Sequence, residues 1–211
     1  MTTHVLFDFD GTLVDSAPAI LTCFEQALSA HGLPAFRPID ASLIGPPLRQ
    51  TLEAVSGCQD PQLIDALAAS FRELYDSRVC LQTPAYDGCQ HMLHALKARG
   101  LRMAIATNKR LAPTRSIIAA LGWQDLFVEV MASDSHPGRY AHKAGMIGAL
   151  LSDLGIEASA AIYVGDTPAD GCAAAANGVE FWPVDWGYGR FEPSERPLAT
   201  PRHLLERLAS A

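Results

Sequence analysis

Two aspartates one residue apart, Asp8 and Asp10, follow directly on the apolar run Val5-Leu6-Phe7 and precede the turn residues Gly11-Thr12. If the backbone bends there, the two acidic residues converge on one small volume. They then repel each other unless a cation sits between them, and a hard, oxygen-liganded ion such as Mg²⁺ is the usual solution. Further polar groups recur along the chain: Thr107-Asn108-Lys109, Lys143, and Asp166 followed one helical turn later by Asp170. Carboxylates, a lysine and a hydroxyl gathered over one crevice suit a phosphoryl group, whose spreading oxygens need donors and positive charge in the transition state. Lysine is scarce, with only Lys97, Lys109 and Lys143 in the chain, so an excess of surface lysine does not account for two of the three falling beside these loops.

Each of these groups stands at the end of a strand-like run or the start of a helical one. Val5 to Phe7 reads as a buried strand, and Leu101 to Thr107, Leu126 to Met131, Ala161 to Val164 and Val179 to Phe181 as four more. Helical patterns lie between them: His91 to Arg99, a helix entered near Pro113 and ending at Leu121, Ala141 to Leu154, Ala169 to Ala176, and a last one over Pro201 to Ala209. This alternation predicts an α/β fold, a Rossmann-like doubly wound parallel sheet covered on both faces, with ligands at the carboxyl ends of the strands. Between the first strand and the second, the patterns are helical only, over Ala17 to His31, Leu48 to Val55, and onward from Asp60-Pro61. The expected organisation is therefore a core of residues 1–16 and 82–211 with a helical cap, 17–81, inserted into it. Trp182, Trp186 and Tyr188 form an aromatic loop that serves either packing or a pocket wall.

The chain of 211 residues is 49% hydrophobic and 18% charged, an ordinary globular composition. Its formal charge of -7 gives no support to binding of a nucleic acid polymer or an anionic membrane. No apolar run approaches bilayer length, and a strand reached after four residues leaves no room for a signal peptide. Five cysteines, Cys23, Cys58, Cys80, Cys89 and Cys172, lie scattered without paired spacing, as expected of reduced thiols in a cytoplasmic protein. Cys172, in a helix of small residues, is expected in the core.

The stretch Asp8-Phe9-Asp10-Gly11-Thr12-Leu13-Val14-Asp15-Ser16 resembles the nucleophile motif of the haloacid dehalogenase superfamily in its phosphatase form, and the likeness extends over nearly the whole chain, with four motifs in order. The resemblance implies that Asp8 attacks phosphorus to form an aspartyl-phosphate, and that Asp10 protonates the leaving oxygen and later activates water. It implies phosphate binding by Thr107 and Asn108, and neutralisation of nucleophile and phosphate by Lys143. Mg²⁺ would be held by the Asp8 side chain, the Asp10 backbone carbonyl and Asp166, with Asp170 in support. One departure stands out. Members of the family often carry Gly-x-Pro-Lys-Pro around the lysine, whereas this chain has His136-Pro137-Gly138-Arg139-Tyr140-Ala141-His142-Lys143-Ala144, which offers Arg139 and His142 as competing contacts.

Asp10 and Gly165-Asp166 argue against a metal-free dehalogenase, and the absence of any lysine before Lys97 argues against an imine-forming phosphonate hydrolase. The first motif extended to Pro18, the cap turn Gly45-Pro46-Pro47-Leu48 and Thr107-Asn108-Lys109 together look most like phosphoglycolate phosphatases and their relatives. This implies a small phosphorylated metabolite, with 2-phosphoglycolate first. Nucleoside monophosphates, pyrophosphate and a sugar-phosphate mutase reaction stay open, and a non-enzymatic scaffold is the reading from another class. Arg49, just beyond the rigid bend, and Lys109 are the candidate substrate-binding residues, Arg49 because its fork of donors suits a carboxylate or second phosphate.

Overall fold

The computed structural model describes residues 2–77, 79–136, 138–140 and 142–210. Strands β1 (His4–Phe7), β2 (Arg102–Thr107), β3 (Phe127–Ala132), β4 (Ala161–Gly165) and β5 (Glu180–Pro183) form one sheet in the order β3-β2-β1-β4-β5. Every neighbouring pair is parallel. A parallel strand is covered on both faces, which is why β1 and β4 read as unbroken apolar runs. Side chains alternate across the sheet, so Val5 and Phe7 enter one core and Leu6 the other. The first core is completed by α4 (Cys89–Ala98), α5 (Leu111–Ala120) and α8 (Pro201–Ser210), the second by α6 (Lys143–Leu154) and α7 (Pro168–Ala175).

The insert is helical, as its patterning predicts: α1 (Ala17–Ala30), α2 (Leu48–Ser56) and α3 (Pro61–Ser77). Phe24 of α1 and Phe71 of α3 meet with ring centroids 4.8 Å apart, and the core of this cap is continuous with the first core of the sheet. Its two connections to the sheet are tied to each other by backbone hydrogen bonds, Asp15 N–H to the Pro84 carbonyl at 2.9 Å and Tyr86 N–H to the Leu13 carbonyl at 3.1 Å. Among the described residues no helix is long and apolar enough to cross a membrane.

Two expectations need correction. The helix expected from Ala141 starts at Lys143 instead, because His142 is an extended N-cap whose Nδ1 accepts from Gly145 N–H at 3.3 Å; Ala141 and Pro137 lie outside the described residues. Cys172 is exposed rather than buried. Helix α7 buries Asp170, Ala173 and Ala174, a face spaced three and four residues apart that excludes position 172. All five cysteines are free thiols.

Candidate active site

The parallel register aligns Phe7 with both Ile105 and Val164, so the chain segments leaving β1, β2 and β4 start from one edge of the sheet. Asp8 extends β1 by one bond, its N–H donating to the Val164 carbonyl at 2.9 Å. Thr107 is the last residue of β2, Asp166 follows β4, and Asp170 lies in the first turn of α7. Ligand atoms of Asp8, Asp166 and Asp170 all lie within 4.8 Å of one another, and all three residues are buried. Lys143, the first residue of α6, reaches into this cluster with Nζ 2.9 Å from Asp8 Oδ1 and 2.5 Å from Asp170 Oδ1. Asp170 is further held by Thr167, whose N–H (3.0 Å) and hydroxyl (2.7 Å) donate to Oδ2 in a capping box that starts α7.

Among the described residues three acids face one ammonium, so with all three ionised the cluster would carry two negative charges in excess. Burial pushes the Asp8 carboxyl up to about 8 against the opposing pull of Lys143, and pushes Asp166 up to about 6 with the help of the Asp170 charge. The Lys143 contact on Asp8 Oδ1 lies off the hydrogen-bond direction, so this buried oxygen carries no directed hydrogen bond. An all-carboxylate donor set, the two-charge excess that full ionisation would create and a buried oxygen with no directed hydrogen bond fit a hard divalent cation of the Mg²⁺ type.

Asp10 is near the cluster in sequence, but its carboxylate meets Lys109, with Nζ 3.0 and 3.3 Å from its two oxygens. The same Nζ donates to Tyr75 Oη of α3 at 2.7 Å, so Lys109 joins the core acid to the cap. Its neighbours act likewise: Asn108 Nδ2 donates to the Gly45 carbonyl at 2.8 Å, and Arg110 pairs with Asp76 at 2.5 Å. The loop after β2 therefore holds the cap at three points. Thr107 Oγ1 accepts from Lys109 N–H at 3.2 Å, which fixes the turn beneath them.

A family model described as haloacid dehalogenase-like hydrolase matches residues 5–184. The chain belongs to that family. Among curated proteins, it is 34% identical over 197 residues to tyrosine-protein kinase PtkA of Mycobacterium tuberculosis, covering 93% of this chain and 66% of that protein. It thus spans just under two thirds of the length of those relatives. It is 32% identical over 189 residues to phosphoglycolate phosphatase of Xanthomonas campestris, covering 87% of this chain and 83% of the relative. The solved structure of the Mycobacterium tuberculosis PtkA superposes with a TM-score of 0.82 at 30% identity, covering 98% of each chain. A haloacid dehalogenase-like family hydrolase from Streptococcus pneumoniae shares the fold with a TM-score of 0.86 at 24% identity, over 98% of each chain.

Within this haloacid dehalogenase-like frame, several contributors escape a reading of the sequence. Thr12 Oγ1 donates to Asp166 Oδ1 at 3.2 Å, and Tyr188 N–H donates to Asp166 Oδ2 at 2.9 Å. Tyr188 Oη donates to Asp15 at 3.0 Å and accepts from Ala17 N–H at 2.9 Å, so it also anchors the exit toward the cap. Trp182, expected in the same loop, lies in β5 instead, while the loop bearing Trp186 and Tyr188 packs behind Asp166, with Trp186 Nε1 donating to the Thr12 carbonyl at 3.0 Å. Gly11 has φ of +84°, and a Cβ there would stand 2.2 Å from Asp166 Oδ2; a Cβ on Gly187 would stand 2.3 Å from Asp166 Cβ. Arg139 is paired with Asp153 and His142 caps α6, so neither competes at Lys143. A cavity of about 510 Å³ opens between sheet and cap over Asp8, Asp10, Thr107, Asn108, Lys109 and Lys143, and Arg49 lies on its wall with its guanidinium paired to Asp65.

Proposed function

We propose that this chain is an Mg²⁺-dependent phosphomonoester hydrolase that works through an aspartyl-phosphate on Asp8. The observation that carries the reading is the Asp8 carboxylate, buried at the end of β1 beside Lys143 and opening on the cavity shared with Thr107 and Asp10. In the first step an Asp8 oxygen attacks phosphorus, and the bond to the leaving oxygen breaks as Asp10 delivers its proton there. In the second, Asp10 takes a proton from water, whose oxygen attacks the same phosphorus and releases inorganic phosphate with Asp8 restored. Thr107, Asn108 and Lys143 hold phosphoryl oxygens, while Asp170 fixes Lys143 and Lys109 fixes Asp10. The Asp8 side chain, the Asp10 carbonyl and Asp166 would hold Mg²⁺, which supplies charge neutralisation at the transferred group when bound.

The cap, residues 17–81, closes on the core of residues 1–16 and 82–211 and receives the rest of the substrate. Relatives named phosphoglycolate phosphatase make 2-phosphoglycolate the reference ester. Purified protein should hydrolyse phosphate esters with Mg²⁺, lose that turnover on exhaustive chelation and regain it on Mg²⁺ readdition. Asp8→Asn, nearly isosteric but a poor nucleophile, should lower kcat by about 10⁴-fold or more while leaving the circular dichroism spectrum unchanged. Turnover that survives chelation, or survives in Asp8→Asn, contradicts the proposal.

A further inference from the structure

The cavity over Asp8 is larger and less polar than a two-carbon phosphate ester requires. Its volume of about 510 Å³ lies in the range that encloses drug-sized ligands. Polar groups gather at its floor, whereas the cap side carries Ile20, Phe24, Leu43, Ile44 and Phe71 beside Arg49, Thr51 and Arg72. Three aromatic rings run along this side in sequence. Phe24 and Phe71 stand 4.8 Å apart between centroids, Phe71 and Tyr75 stand 5.6 Å apart and nearly parallel at 17°, and Tyr75 Oη ends on Lys109 beside Asp10. The ladder therefore reaches from the cap interior to the acid that meets the leaving oxygen.

The cations on the lining are mostly committed elsewhere. Arg49 is paired with Asp65, Arg110 with Asp76, and Lys109 with Asp10, while Arg72 is exposed. A second anion on the substrate would have to displace an existing partner or reach toward solvent, but an apolar body displaces only water from an apolar wall.

We propose that the ester cleaved at this site carries an aromatic body that lies along the Phe24–Phe71–Tyr75 ladder, in place of the second anionic group of 2-phosphoglycolate. This rests on the phosphatase reading of Asp8 and names the substrate class for it. Offset stacking on such rings adds to the gain from burying the ring itself.

Benzyl phosphate and ethyl phosphate test this directly, because both release a primary alcohol and differ in the ring. With Mg²⁺, kcat/KM for benzyl phosphate should exceed that for ethyl phosphate and for 2-phosphoglycolate by on the order of 10²-fold. Phe71→Leu, which keeps an apolar side chain but removes the middle ring, should reduce the benzyl-to-ethyl ratio. Equal kcat/KM for the two esters, or a preference for 2-phosphoglycolate, overturns the inference. Calorimetric titration with benzylphosphonate and ethylphosphonate reads the cavity without hydrolysis. Tighter benzylphosphonate binding with no turnover of any ester keeps the cavity assignment and defeats the phosphatase reading, whereas equal binding defeats the cavity assignment whatever the turnover.

Discussion

Among the described residues Lys143 is the single positive charge paired within the cluster of three buried acids, and its removal leaves Asp8 and Asp170 facing each other without it. Breaking a buried ion pair on one side costs about 3–5 kcal/mol. Lys143→Met should therefore lower unfolding stability by roughly that amount in chelator, measured by urea denaturation, and abolish turnover in Mg²⁺. Asp10 offers a different outcome, since its role in the proposed mechanism is proton transfer. Asp10→Asn should reduce kcat by about 10²–10⁴-fold with little change in KM, and a loss confined to KM would reassign it to substrate binding. Behind Asp166 the limit is steric. Gly187→Ala would force Cβ against both Asp166 Cβ at 2.3 Å and the Gly11 carbonyl at 2.4 Å, so it should weaken Mg²⁺ activation out of proportion to any loss of fold.

Elements explain why these residues meet, and also how far they could be read in the sequence. Strands β1, β2 and β4 each show in sequence as an apolar run that stops at or just before a polar residue, so Asp8, Thr107 and Asp166 are legible as neighbours once a parallel sheet is inferred. Helix ends were less legible: α6 starts where His142 caps it, and a histidine cap resembles any other loop histidine in sequence. The small-residue helix α7 has weak apolar periodicity, so its buried face is not legible in sequence and the expectation of Cys172 in the core fails. Contacts across the fold were not legible at all, because Thr12 and Asp166 are separated by 154 positions and Lys109 and Tyr75 by 34. The pairing of Arg49 with Asp65 belongs to this class and joins α2 to α3 at the surface. Surface pairs of this kind are worth about 0–1 kcal/mol, so Arg49→Ala should leave stability nearly unchanged. If Arg49 exchanges Asp65 for a substrate anion, the substitution lowers kcat/KM for 2-phosphoglycolate far more than for ethyl phosphate; equal effects assign it to closure of the cap.

For the whole molecule, the acid cluster links metal, protons and stability. The raised Asp8 and Asp166 values mean that the metal-free folded chain holds protons that the unfolded chain releases near pH 4. Their contribution to stability is thus fully present below about pH 4 and is lost as pH rises toward about 8. A cation that needs these groups ionised binds more tightly over the same interval, so the rise in Tm on adding Mg²⁺ should be larger at pH 8 than at pH 6 in differential scanning calorimetry. A rise independent of pH would remove Asp8 and Asp166 from the metal site. The central claim, covalent phosphoryl transfer to Asp8, is tested most directly by trapping the intermediate in one turnover with enzyme in excess over ester, because attack by water on phosphorus puts solvent oxygen into the released phosphate whether or not Asp8 is phosphorylated first. Acid quenching of that single turnover with ³²P-labelled ester, then borohydride reduction, proteolysis and mass analysis, should show Asp8 converted to homoserine in the peptide containing it, while an unmodified Asp8 under conditions where the ester is consumed would contradict the account.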